Sequence, residues 1–315
     1  MTRRNGRYKN HIKRRGHLFF LFLIFIAIVC LSGVCALTDG NGPDARPAGV
    51  SAAEKQPPAP STQTGEPADK PRDDGQSELR ILTYGSLAKE VNGDLALVNG
   101  DYAVPRFTPV LASVSGYVRT LNTDCTMDEG ALAMLKAMFS SAKDAGYGDF
   151  RVTDGYRTLE QQQTLYDSME DKSLVALPGH SEHQTGLAAD ISYDGVDISN
   201  SSQGRWLMEN SYKYGFILRY PKQKKDITGF SFEPWHYRYV GQPHASFIHQ
   251  YGLVLEEYVD YLKRNGEVTA VYDGVRYAVY YLSGYDDAVE IPNDYSYSAS
   301  SDNTGGIVVT AWKGE

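Results

Sequence analysis

The chain has 315 residues, 42% hydrophobic and 22% charged, enough for one large domain or two modest ones with a buried core. Its formal charge of −8 is unevenly spread: residues 1–17 carry seven Lys/Arg and no acid, leaving 24 basic against 39 acidic residues beyond them. An acidic main body argues against nucleic-acid binding, which needs a basic face to neutralise phosphates, and three cysteines, two of them inside an apolar run, exclude a disulfide scaffold.

That apolar run is Leu18–Leu37, 20 residues without a charge. At about 1.5 Å per residue a helix of this length spans the roughly 30 Å hydrocarbon layer of a bilayer. The basic cluster before it (Arg3, Arg4, Arg7, Lys9, Lys13, Arg14, Arg15) predicts a cytoplasmic tail at 1–17 and places the main body outside the membrane. A cleaved signal peptide is the alternative, with Val34-Cys35-Ala36 as a small-residue cleavage site. Either reading exports the domain. Residues 38–78 hold seven of the 14 prolines among small and polar residues, a composition that cannot offset its ordering entropy and predicts a disordered spacer.

Beyond the spacer, Leu95–Val104 reads as extended, with a turn at Asn99-Gly100. Thr126-Met127-Asp128-Glu129 has capping-box form, and Leu132, Leu135, Met138, Phe139 and Ala142 share one helical face that Gly146 closes. Phe150–Thr153 predicts a short strand entering the loop Asp154-Gly155-Tyr156-Arg157, followed by a polar helix from Thr158. Further on, Ala188–Ser192 predicts a strand, Gly204–Tyr214 a helix, Ser231–Tyr239 a strand and Phe247–Arg264 a helix. Helices and strands mix without a βαβ rhythm, so the fold class is α+β. From residue 266 the period changes to two: Val268, Ala270 and Tyr272 alternate up to Asp273-Gly274, and Val275, Tyr277, Val279 and Tyr281 alternate away, a hairpin signature. Another turn at Asn303–Gly306 leads into Ile307–Trp312. The organisation expected is a domain at 79–265 with a β-rich extension at 266–315.

Five of the seven histidines fall between residues 180 and 249. Two blocks stand out: PGHSEHQTGLAAD at 178–190 and FEPWHYR at 232–238. Two imidazoles and a carboxylate, with a position left open for water, make a suitable catalytic zinc site. Zinc lowers the pKa of its bound water to about 7, and a carboxylate beside that water can take its proton and pass it to a leaving amine. His183, Asp190 and His236 are the candidate ligands and Glu233 the candidate base. Gly186 is expected to turn the chain between the first two. Glu233 and His236 are three apart, and a regular strand would point them to opposite faces. Both reach one metal only if the strand starts or bulges there, for which Pro234 gives a reason. Structural readings stand beside these: Glu233 as a carboxylate that orients a ligand histidine, and Arg157 as an ion partner of Asp154. His180, His244, His249 and Arg238 read as structural, and Cys125 as an inert thiol.

SEHQTGLAAD at 181–190 fits Ser-x-His-x-x-Gly-x-Ala-x-Asp, and with EPWH at 233–236 and GYR at 155–157 the chain resembles the VanY-type D-alanyl-D-alanine carboxypeptidases. The likeness runs from about Leu95 to Leu262 and takes in WLMENSYKYGFILRYP at 206–221. It implies the Hedgehog/D,D-peptidase α+β fold, one zinc on His183, Asp190 and His236, Glu233 as base, Arg157 at the substrate and the transition state, and Ser181 and Gln162 along the substrate cleft. The function it implies is an extracellular, membrane-anchored zinc carboxypeptidase that removes the terminal D-alanine of peptidoglycan stem peptides, with no protein partner expected. An L,D-carboxypeptidase acting on tetrapeptide stems shares the same metal and base, and a wall-binding or sensor domain without turnover shares the same fold; both stay open at this point.

Overall fold

The computed structural model describes residues 78–116, 118–120, 123–193 and 197–314. The apolar run Leu18–Leu37 and the spacer up to residue 77 lie outside them. Among the described residues no helix is long and apolar enough to cross a membrane.

The elements run β1 (Leu79–Thr83), α1 (Tyr84–Leu87), β2 (Leu111–Ser113), β3 (Arg119–Thr120), β4 (Thr126–Asp128), α2 (Glu129–Asp144), β5 (Phe150–Asp154), α3 (Leu159–Ser168), β6 (Ala188–Tyr193), α4 (Ser202–Asn210), β7 (Phe216–Leu218), α5 (Lys225–Thr228), β8 (His236–Tyr239), α6 (His244–Tyr251), α7 (Leu255–Asn265), β9 (Glu267–Tyr272), β10 (Val275–Leu282), β11 (Ala288–Pro292), β12 (Tyr295–Ser301) and β13 (Ile307–Lys313). The central sheet has the order β3-β5-β6-β8-β7 and is parallel only between β3 and β5. Leu132, Leu135 and Met138 of α2 share a core with Val152, Ile191 and Tyr237 of this sheet and with Trp206 and Leu207 of α4. This mixture of helices with a largely antiparallel sheet is the α+β arrangement that the sequence predicts.

Several elements differ in detail from the expectation. Helix α2 is capped by Asp128, whose side chain accepts from the Gly130 and Ala131 amides, while Thr126 lies in a strand. Leu95–Val104 pairs with no strand among the described residues. Its backbone is satisfied by other means: Arg238 Nη2 donates to the carbonyls of Gly93, Asp94 and Ala96, the Leu95 amide donates to Ser300 Oγ, and the Leu97 amide to the Asp302 carbonyl. The turn at Asn99 is present, its side-chain oxygen accepting from the amides of Asp101 and Tyr102. The strand expected over Ser231–Tyr239 is confined to β8. The single helix expected over Phe247–Arg264 is two, α6 and α7, because Gly252 takes a left-handed conformation (φ 63°) that ends α6.

The C-terminal hairpin is as predicted: Asp273 and Gly274 both have positive φ (48° and 78°), as its two-residue turn requires. Its four-stranded sheet, β12-β13-β10-β9, is covered on both sides. Val279 and Val308 share a core with Leu255, Tyr258, Val259 and Leu262 of α7. Ile307, Val309 and Ala311 share another with Leu82 of β1 and with Val289 and Ile291 of β11, the strand to which β1 pairs. Burial on both faces leaves the consecutive residues Ile307–Ala311 of β13 buried, rather than alternate ones.

His244 joins these layers. It opens α6, its Nδ1 lies 2.7 Å from Tyr258 Oη on α7, and its Nε2 lies 3.0 Å from Thr310 Oγ1 on β13. Burial pushes its imidazole down to about 3, so it is neutral. Replacing Thr310 by Val keeps the shape and strands one buried ring nitrogen, so Thr310→Val is expected to cost about 1–3 kcal/mol of stability, read as a lower urea midpoint at unchanged m-value.

Candidate metal centre

The centre is built on the register of the sheet. Asp190 of β6 stands directly opposite His236 of β8 on one side and Asp154 of β5 on the other. Facing residues of an antiparallel pair project to the same side, so the carboxylate and the imidazole meet. Asp190 Oδ1 lies 3.0 Å from His236 Nδ1. His183 arrives from a 3-10 turn, Glu182–Thr185, that ends at Gly186 with φ 76°. Its Nε2 lies 3.4 Å from the same Asp190 oxygen. All three side chains are buried, and their ligand atoms lie within 4.8 Å of one another.

Each imidazole has one nitrogen committed elsewhere. His183 Nδ1 is 2.6 Å from the carbonyl of Gly155, to which it can only donate, so Nε2 carries its lone pair. His236 Nε2 is 3.3 Å from Glu182 Oε2. With the proton kept there in the neutral ring, the lone pair falls on Nδ1, beside Asp190. In that neutral state the two imidazole lone pairs and one carboxylate oxygen face a common point, where a cation would sit. Tetrahedral zinc with ligands at about 2.0–2.1 Å separates neighbouring donors by about 3.3 Å, which the 3.0 and 3.4 Å contacts match. This N, N, O donor set fits zinc.

Without a cation the charges adjust to one another. Burial alone would raise the Asp190 carboxyl, but His183 and His236 outweigh it and hold it well below the usual carboxylate range. Burial alone would lower His236, but its hydrogen bonds to Asp190 and Glu182 prevail and lift it to about 9.

Glu233 sits at the start of a tight turn in which the His236 amide donates to the Glu233 carbonyl at 3.1 Å, and its own amide donates to the Tyr220 carbonyl. The strand begins only at His236, so the opposite-face problem of a regular strand does not arise. Burial pushes the Glu233 carboxyl up to about 7; His236 and Arg157 pull it down, while Asp190 and Glu182 add to the rise. Arg157 follows β5. Its Nε donates to Asp154 Oδ2 at 2.9 Å, its Nη1 donates to Gln162 Oε1, and its amide donates to the His183 carbonyl. Gln162 lies fully buried beneath Arg157, its amide donating to the Ala176 carbonyl. Ser181 is buried at the head of the His183 turn and makes no side-chain cap. Gly155 is required by space: a Cβ there would lie 2.5 Å from the Thr126 carbonyl oxygen.

The other histidines among the described residues are elsewhere. His180 Nδ1 meets the Asn99 carbonyl, His244 bridges the C-terminal layers, and His249 stacks on Tyr212. Cys125 is buried, and its thiol is pushed up to about 12 by burial. Sequence reasoning did not single out Glu182, Arg219 or Glu256. Arg219 Nε and Arg238 Nη1 both donate to Glu182 Oε1, at 2.7 and 2.9 Å, and Arg219 also makes a two-pronged contact to Glu256 of α7. The legible signal was an arginine within the apolar run FILRY at 216–220, where a charge needs a partner.

The family model described as VanY: D-alanyl-D-alanine carboxypeptidase matches residues 124–242. A D-alanyl-D-alanine carboxypeptidase of Enterococcus faecalis (strain ATCC 700802 / V583) is 36% identical over 273 residues, 80% of this chain and 94% of that protein. A protein of the same description from Enterococcus faecium is 34% identical over 234 residues, 70% of this chain and 76% of its own length. Among solved structures, the vancomycin resistance D,D-dipeptidase VanXYg in complex with a D-Ala-D-Ala phosphinate analog superposes with a TM-score of 0.65 at 30% identity, over 76% of this chain and all of that one. With these likenesses, and with the motif residues gathered at one point of the sheet, the chain belongs to the VanY family of D-alanyl-D-alanine carboxypeptidases.

Proposed function

We propose that this protein is a zinc-dependent D,D-carboxypeptidase that removes the terminal D-alanine of peptidoglycan stem peptides. The observation that carries the reading is the convergence of His183, Asp190 and His236 on one point, with the Glu233 carboxyl electrostatically coupled to two of them and to Arg157. The relatives described as D-alanyl-D-alanine carboxypeptidases support the choice of bond.

His183 Nε2, an Asp190 oxygen and His236 Nδ1 would hold the metal. Zinc bound there supplies Lewis-acid chemistry, acidifying water and polarising a carbonyl. The protein's own groups do the rest. Glu233 takes a proton from the attacking water and delivers it to the departing amine of D-alanine, a transfer suited to a carboxyl that burial has raised toward neutral pH. Arg157, fixed by Asp154 and Gln162, offers its remaining donor capacity to the oxyanion that develops on the scissile carbonyl. The site is proposed to work outside the cell: the basic cluster and the 20-residue apolar run Leu18–Leu37 support an N-terminal anchor with the catalytic domain on the outer face.

Two measurements test this reading. Glu233→Gln keeps the size of the side chain and removes the base, so it is expected to lower D-alanine release from a defined pentapeptide by about 10²–10⁴-fold while one zinc per chain remains bound. Release from tetrapeptide alone would instead mark an L,D-carboxypeptidase, and zinc binding without hydrolysis of either would mark a binding domain. The second measurement concerns pH. His236 must lose its proton to act as a ligand, and in the metal-free protein it holds that proton up to about pH 9. Zinc affinity should therefore rise with pH below 9, by about tenfold per unit for this one proton. Calorimetry at pH 7 in buffers of different ionisation enthalpy should report its release.

A further inference from the structure

We infer that Glu182 is a positioning residue that decides which nitrogen of His236 faces the metal, and that Arg219, Arg238 and Glu256 are arranged to hold it in that role. The inference rests on the zinc reading above and goes beyond it to residues that touch neither metal nor substrate.

Glu182 lies one position before His183, yet its side chain serves the other histidine. Oε2 faces His236 Nε2 at 3.3 Å, while Oε1 takes Arg219 Nε at 2.7 Å and Arg238 Nη1 at 2.9 Å. The side chains of Glu182, Arg219 and Arg238 are wholly buried, and solvent cannot substitute for either guanidinium. An ionised carboxylate only accepts, and guanidinium only donates. The two arginines thus keep Glu182 an acceptor and Glu182 keeps a proton on His236 Nε2, so that when the ring gives up its other proton to act as a ligand the lone pair falls on Nδ1, 3.0 Å from Asp190 Oδ1. The chain of contacts continues outward: Arg219 Nη1 and Nη2 donate to the two oxygens of Glu256, at 2.8 and 2.6 Å, and Asn99 Nδ2 donates to Glu256 Oε1 at 3.1 Å. Two carboxylates and two guanidiniums sum to zero, so the network orients the ring without placing net charge beside a site for a dication.

An amide at position 182 would reverse this logic. Its single oxygen is claimed by two guanidinium donors, which turns the NH₂ toward His236 Nε2. That nitrogen must then accept, and the proton moves to Nδ1, where the metal should bind. The same change leaves one uncompensated positive charge in the network.

The test uses chelator-stripped protein, zinc with a chromophoric competitor, and the visible absorption of the Co²⁺-substituted form. Glu182→Gln is expected to raise the zinc dissociation constant by about 10–100-fold and to alter the Co²⁺ spectrum. A purely packing role would lower the melting temperature of the zinc-free variant and leave both readouts at wild-type values, and that result would overturn the inference. If Glu182→Gln does not fold, Glu256→Gln decides: it loosens Arg219 from the outer side, and a weakened zinc affinity supports the chain of contacts whereas an unchanged one overturns it. Wild-type protein that binds no zinc would sink the functional reading itself, a different result from variants that bind as tightly as the wild type.

Discussion

The centre depends on one cross-strand pair. Asp190 and His236 face each other across β6 and β8 because the sheet register places them there, and a slip of one residue would send one of the two side chains to the opposite face. The other parts are delivered to that pair. The left-handed Gly186 lets the chain leave the His183 turn directly into β6, the Glu233–His236 turn ends where β8 starts, and β5 finishes beside Asp190 so that Asp154 can hold Arg157. No short segment contains the site. His236 is 46 residues from Asp190, and only the paired strands bring them together.

This division explains what the sequence made readable. His183, Asp190, His236 and Glu233 are legible because their chemistry sits inside short motifs, and even the irregular start of β8 could be inferred from the need for Glu233 and His236 to meet. The Glu182 network is a different matter. Its links are 37 residues apart, from Glu182 to Arg219 and again from Arg219 to Glu256, and no local pattern records which buried charge will find which partner. The unbroken helix expected over Phe247–Arg264 failed for a related reason: apolar spacing continues in phase across Gly252, while the break is a backbone event at that glycine. Leu95–Val104 has the composition of a strand, but Arg238 and the loops around it supply its hydrogen bonds in place of a neighbouring strand.

The β-rich C-terminal region, in which the sequence shows no chemistry, takes part in the architecture that supports the centre. β13 and β10 supply Val308 and Val279 to the core of α7, and α7 carries both Tyr258, which meets His244, and Glu256, which meets Arg219. The far layers of the molecule are thus joined to the ligand sphere through a helix that contributes nothing to the chemistry itself.

Burial of the Glu182 cluster has a consequence for the ionic conditions under which the protein can work. Charges bathed in solvent lose their grip on one another over about 8 Å at physiological salt and over less in brine, but the Glu182, Arg219 and Arg238 side chains have no solvent exposure at all. Dissolved ions cannot enter between them, so the imidazole they aim keeps one orientation from dilute buffer to concentrated salt.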